Sequence, residues 1–259
     1  MPAVELNQIV HAGPEGGGDL PLVIAHGLFG SGRNWGAVAK RLSAARQVVA
    51  VDMRNHGDSP RARPHDYEGM AEDLAATIDA LGGRADVLGH SMGGKAAMML
   101  ALSRPALVRR LIVADIAPVA YDHSHAGHIA TMRGLDLAGV TRRSEADARL
   151  APALADPGLR AFLLQSLDLT DGARWKLDLD ALEEGMAATV GWPAPKGRFD
   201  GPALFVAGGQ SDYLTPAHHD AIRAQFPDAT FHTIPEAGHW LHAEQPRAFV
   251  DVVSTFLPV

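Results

Sequence analysis

Ser91 is the residue of this sequence whose setting most directly implies chemistry. It stands in Gly89-His90-Ser91-Met92-Gly93, directly after the apolar run Ala85-Asp86-Val87-Leu88 and directly before the helix-forming run Lys95-Ala96-Ala97-Met98-Met99-Leu100. A strand, then G-x-S-x-G, then a helix, sets the serine on a sharp strand-to-helix turn with its hydroxyl exposed. Such a serine takes strained backbone angles, and its neighbours two residues away must lack side chains to avoid collision. The helix that begins there aims its positive end at the serine, where an oxyanion develops during acyl transfer. The arrangement points to nucleophilic catalysis; the structural alternative is a tight turn with an exposed serine.

A serine hydroxyl is a weak nucleophile and needs a base. Of the 13 histidines, His239 has the fitting context, Ala237-Gly238-His239-Trp240, just past the last apolar run. A glycine there lets the loop bring the imidazole back over the serine; otherwise His239 is a loop histidine bonded to backbone. His242 reads as a packing residue at the start of the last helix, and His90 as pointing away from the catalytic face. The base needs a carboxylate to hold its tautomer. Asp115, in Val113-Ala114-Asp115-Ile116-Ala117-Pro118, and Asp212, in Gly208-Gly209-Gln210-Ser211-Asp212, both follow apolar runs and compete for that role. Either could instead be a turn or cap aspartate. Two N–H donors should face the oxyanion: that of Met92, next after the serine, and that of Leu28 in His26-Gly27-Leu28-Phe29-Gly30, where Gly27 lets the backbone turn. Phe29 and Trp35 are the candidate substrate-binding residues, with a core role the alternative for Trp35. Lys95 could pair with an acid near the site but reads rather as a solvated or bridging lysine, and Arg54-Asn55-His56-Gly57 as a turn beneath the nucleophile.

Positioning these groups takes a parallel sheet. Short apolar runs alternate with helical patterns, the signature of such a sheet covered on both faces. Strands are predicted near 4–10, 21–25, 47–51, 85–88, 110–114, 203–207 and 230–234, and helices near 35–43, 67–81, 93–103, 216–225 and 246–256. Residues 13–18 read as a flexible glycine-rich turn. Between the strands ending at Ala114 and starting at Ala203 the pattern is helical with no convincing strand, and so long a stretch is not expected to be structureless. The expected organisation is an α/β core of residues 1–116 and 200–259, interrupted by a helical cap over residues 117–199. The cap would lie over the carboxyl ends of the strands, where open α/β sheets bind ligands.

At 259 residues the chain fits one large domain, and a hydrophobic content of 47% with 20% charged residues is ordinary for a globular enzyme. A net charge of −7, with no basic stretch, argues against a nucleic-acid surface. The absence of cysteine excludes disulfides, a thiolate nucleophile and cysteine-ligated metals. His123, His125 and His128 are denser than chance suggests, and the last two, three residues apart, could share a helix face and bind a metal; yet no cysteine or clear carboxylate completes a ligand set, so a polar cap helix near a pocket mouth is favoured. No glycine-rich segment matches a phosphate-binding or dinucleotide loop. No metal and no cofactor is expected. With no leader-like amino terminus and no run long enough to span a membrane, a cytoplasmic location is expected.

H-G-L-F-G-S-G-R-N-W from His26, V-D-M-R-N-H-G-D-S-P from Val51, G-H-S-M-G-G-K from Gly89, D-I-A-P from Asp115 and G-H-W-L-H-A-E-Q-P from Gly238 together resemble the YbfF-type esterases of the α/β-hydrolase superfamily. The match spans almost the whole chain and is least distinctive over residues 117–199. The resemblance implies an α/β-hydrolase fold with a mostly parallel sheet of about 7–8 strands, the chain order serine, acid, histidine, and hydrolysis of carboxylic esters, extending to thioesters or acyl-CoA. It also favours Asp115 as the acid, with Asp212 supporting, although the broader superfamily favours the position of Asp212. A C–C bond hydrolase or perhydrolase on the same scaffold is the enzymatic rival, and a ligand-binding receptor that kept the fold is the rival of another class. An aspartate nucleophile, as in epoxide hydrolases, is disfavoured by Ser91. The expected partner is a small ester or thioester.

Overall fold

The computed structural model describes residues 2–14 and 20–257; of the turn expected at 13–18, residues 15–18 lie outside them. Seven strands form the main sheet: β1 (Gln8–His11), β2 (Leu22–Ala25), β3 (Val48–Val51), β4 (Ala85–His90), β5 (Val108–Ala114), β8 (Ala203–Gly208) and β9 (Ala229–Ile234), in the order β1-β3-β2-β4-β5-β8-β9. Every pair is parallel except β1 with β3. The central strands are runs such as LVIA and VVAV buried at every position, as a sheet covered on both faces requires.

Alternation along the strands feeds two cores. Val23 and Ala25 face one side, where they meet α2 (Tyr67–Ala80) and α3 (Met92–Ser103); Leu22 and Ile24 face the other, where they meet α1 (Gly36–Leu42) and α11 (Pro246–Phe256). Asp66 caps α2, its side chain accepting from the Gly69 N–H at 2.8 Å. Residues 4–7, expected as part of the first strand, are held instead by side chains: the Val4 N–H donates to Asp73 Oδ1 (2.7 Å) and the Asn7 N–H to Ser59 Oγ (2.8 Å). The helices expected at 35–43 and 216–225 are each entered through a 3₁₀ turn, Gly32–Trp35 and Pro216–His218, the second leading into α9 (His219–Gln225).

Register brings the site residues together. His90 pairs with Ala114 and Ala114 with Val206, so Ser91 and Asp115 leave neighbouring strands side by side. The Ser91 N–H donates to Ala114 O (3.1 Å) and the Asp115 N–H to Val206 O (2.8 Å). Between β5 and β8 the chain forms α4 (Ala126–Gly134), α5 (Arg143–Leu150), α6 (Pro157–Leu163), α7 (Leu179–Glu184) and α8 (Met186–Val190). It also forms an antiparallel pair, β6 (Leu167–Asp168) with β7 (Arg174–Trp175), that the sequence pattern did not predict. Two residues per strand are too few for alternation to register.

Candidate active site

Ser91 sits between β4 and α3 at φ 53°, ψ −120°. That strained conformation is enforced by close packing: a Cβ on Gly89 would run into the Gly93 carbonyl, and one on Gly93 into the carbonyls of Ala25 and His26. His239 follows β9 on the loop that leads to α10 (Leu241–Glu244). Its Nε2 lies 3.1 Å from Ser91 Oγ and its Nδ1 2.8 Å from Asp115 Oδ2. These contacts assign Nδ1–H as donor to the carboxylate and leave Nε2 to accept from the hydroxyl. Asp115 is fully buried at φ 52°, so it too holds a left-handed backbone. Its Oδ1 accepts from the Gly208 N–H (2.9 Å), and its Oδ2 is shared between His239 and the Ser211 hydroxyl. Asp212 is exposed and makes no hydrogen bond to His239. The structure thus brings Ser91, His239 and Asp115 together and leaves Asp212 outside, because the loop after Gly208 turns Ser211, not Asp212, toward the carboxylate. Ser211 was missed by sequence reasoning; only the β5–β8 register reveals it.

Among the described residues the N–H groups of Leu28 and Met92 have no acceptor. Their neighbours are fixed. Phe29, at φ 65°, donates its N–H to His56 Nε2 (3.1 Å), and His56 Nδ1–H donates to Arg54 O (2.9 Å). His26 Nε2 accepts from the Met53 N–H (2.9 Å) while its Nδ1–H donates to Gly27 O (2.8 Å). Burial lowers the pKa of both imidazoles and keeps them neutral, as these acceptor roles require. Asp52 ties the loop from below, accepting from the N–H groups of Gly32 (2.8 Å) and Asp58 (2.9 Å). Arg54 is a buried partner of Asp73 at 2.6 Å, joining this turn to α2.

A cavity of about 240 Å³ opens at Ser91, walled by Leu28, Phe29, Trp35, Leu159, Phe162 and Trp240. Leu159 and Phe162 come from α6, within the segment between β5 and β8. Trp35 serves both readings made of it: it lines the cavity, yet is buried and stacks on His242 at 4.1 Å, with Phe249 behind it at 5.9 Å. Burial lowers His242 to about 3, leaving it neutral against that indole. His90 does not point away from the catalytic face; it lies under the loop, its Nε2–H donating to the His239 carbonyl at 2.8 Å, and it lines the cavity. His125 and His128 also line it, and burial pulls His125 down to about 4. His123 Nε2 pairs with the Tyr213 hydroxyl (2.8 Å), and Tyr213 stacks on His239 at 4.0 Å. Among the described residues no cluster of three or more such side chains could hold a metal ion.

The family model described as "Alpha/beta hydrolase family" matches residues 22–252. The chain belongs to the alpha/beta hydrolase family. Its curated relatives include the sn-1-specific diacylglycerol lipase ABHD11 of Mus musculus, 42% identical over 94% of this chain and 83% of that protein. They also include Esterase YbfF of Escherichia coli K12, 39% identical over 92% of each. Among solved structures, "Marine microorganism esterase" superposes with a TM-score of 0.92 at 39% identity, covering 98% of this chain and all of that one. This alpha/beta hydrolase is therefore of the carboxylesterase type. No helix among its described residues is long and apolar enough to cross a membrane.

Proposed function

We propose that this hydrolase cleaves carboxylic esters through an acyl-enzyme intermediate, with Ser91 as nucleophile, His239 as base and Asp115 as the orienting acid. The observation that carries the reading is the row of contacts from Ser91 Oγ to His239 Nε2 (3.1 Å) and from His239 Nδ1 to Asp115 (2.8 Å). His239 takes the hydroxyl proton as Oγ attacks the ester carbon. The N–H groups of Leu28 and Met92, free of other acceptors, receive the oxyanion at the amino end of α3. His239 then gives the proton to the leaving alkoxide, and water repeats the sequence to release the acid. Asp115 stabilises the imidazolium and holds the tautomer without taking the proton. Thioesters, acyl-CoA among them, undergo the same steps with a thiolate leaving group and are proposed as further substrates.

Residues 117–199 act as the cap in this reading. The supporting observation is that Leu159 and Phe162 of α6 share a cavity with Ser91. An apolar cavity that Ser91 helps to line suits the hydrocarbon part of an ester.

A fluorophosphonate should label the protein once, at Ser91, and Ser91→Ala should lower kcat by roughly 10⁶ while leaving the fold intact. Labelling at another residue, or an alanine variant with substantial turnover, would remove Ser91 from this role. Parallel rates on ester and thioester pairs of equal acyl length test the wider substrate class.

A further inference from the structure

Lys95 lies one helical turn past Ser91 on α3 and is only 1% exposed. A buried ammonium is costly unless its charge and its donors are met. Among the described residues no carboxylate meets this one. It donates instead to the carbonyls of Val190 (3.1 Å) and Gly191 (2.6 Å). Val190 is the last residue of α8, where a helix leaves carbonyls without intrahelical partners. The ring faces of Tyr121 and Tyr67 lie 4.8 Å and 5.7 Å from the nitrogen. Tyr67 of α2 also donates its hydroxyl to the Thr189 carbonyl, so α2 and α3 grip the same turn. That turn, with Leu28, Ser91 and Met92, walls a second and much narrower cavity of about 20 Å³ beside the serine.

We propose that Lys95 is a positioning residue whose ammonium fixes the 189–191 turn against the helix that carries Ser91, and so sets the width of the narrow cavity next to the nucleophile. The inference rests on the reading of Ser91 as nucleophile. Lys95 touches none of the reacting atoms; it ties the wall of the cavity to the same helix that presents the hydroxyl. Methionine at this position would fill the space but would leave the half-buried Gly191 carbonyl without its donor.

The clamp also has an electrostatic side. Burial lowers Lys95 to about 7. The titratable groups facing it are Tyr67 from α2, Tyr121 and His123 from the chain after β5, His125 at the start of α4 and Tyr213 from the loop after β8. Burial raises the three phenols and lowers the two histidines, so none of these groups supplies a negative charge at neutral pH. As pH rises through about 7 the ammonium becomes an amine, and its bonds to the two carbonyls lose their charge assistance.

The test compares Lys95→Met with the wild type, using a small methyl-bearing fluorophosphonate and a series of esters of increasing bulk. The variant should label at Ser91 within a few-fold of the wild-type rate, while KM for the bulkier esters rises about tenfold, the order expected when hydrogen bonds from a charged donor are lost. Wild-type KM for those esters should also climb as pH rises through about 7, and the variant's should not. An unchanged KM across the series overturns the proposal, as does an equal loss toward the probe and every ester. Should the variant not fold, amide exchange of residues 189–191 in the wild type decides: after correction for intrinsic rates, opening should increase above about pH 7, and no increase refutes the clamp. A wild type that does not label at Ser91 would instead remove the nucleophile reading itself.

Discussion

Asp115 shows how much one side chain is asked to do. It holds a left-handed backbone, accepts from the Gly208 N–H and the Ser211 hydroxyl, and still presents Oδ2 to His239. Such a carboxylate cannot be replaced by an exposed neighbour without rebuilding the loop. Asp115→Asn should therefore lower kcat by about 10⁴, the cost of losing the tautomer control that the acid provides. Asp212→Asn should stay within about twofold, and the double variant should match Asp115→Asn, because residues with no shared partner do not couple. Steady-state rates of the three variants on one ester check this; a further loss in the double variant would show that Asp212 reaches the imidazole. Ser91 and His239 were legible because their own neighbours carry the signal: glycines on both sides of the serine, and a glycine just before the histidine. Which aspartate bonds to His239 was not legible in the residues themselves, since both follow apolar runs. What separates them is which loop residue turns inward beside Gly208, a matter of register between strands some 90 residues apart in sequence.

At the scale of elements, the parallel strands and the helices packed on them were readable because their burial is continuous or periodic. Residues 4–7 and the β6–β7 pair were not, because side-chain hydrogen bonds and a two-residue ladder leave no period to find. The Arg54–Asp73 pair between the turn after β3 and α2 is buried on both sides. Asp73→Asn should cost about 3–5 kcal/mol, the effect of stranding a buried guanidinium, and should appear as a lowered midpoint in urea unfolding. Helix α6 offers a different test. Phe162 packs against Trp240 at 5.3 Å over the main cavity. Phe162→Ala should open that wall and move the acyl-length optimum of kcat/KM to longer chains. Each additional buried CH₂ is worth about 0.8 kcal/mol, roughly a factor of four. An unchanged profile on a graded ester series would mean that the acyl chain lies elsewhere.

Over the whole molecule, five of the buried polar side chains among the described residues are imidazoles. Burial holds His26, His56, His65, His90 and His242 below the ordinary histidine value, His65 and His242 at about 3. Below the unfolded value of about 6.5 the unfolded chain binds protons that the folded chain refuses, so folding stability is full above that pH and falls as acid is added. Each such histidine contributes a slope of up to ~1.4 kcal/mol per pH unit in that window. Urea midpoints should drop steeply from about pH 6.5 toward about pH 4, with a proton uptake of more than one on unfolding; a flat profile there would mean that these rings are already solvated. The adjacency of β5 and β8 has a consequence in time as well. The Asp115 backbone and carboxylate are bonded to Val206 and Gly208 across the whole intervening segment. Closing a loop that long is slow even though its entropic cost grows only with the logarithm of length. Refolding chains should therefore regain helical circular dichroism well before they react with a fluorophosphonate, and the lag between the two signals would clock the moment at which β8 docks on β5.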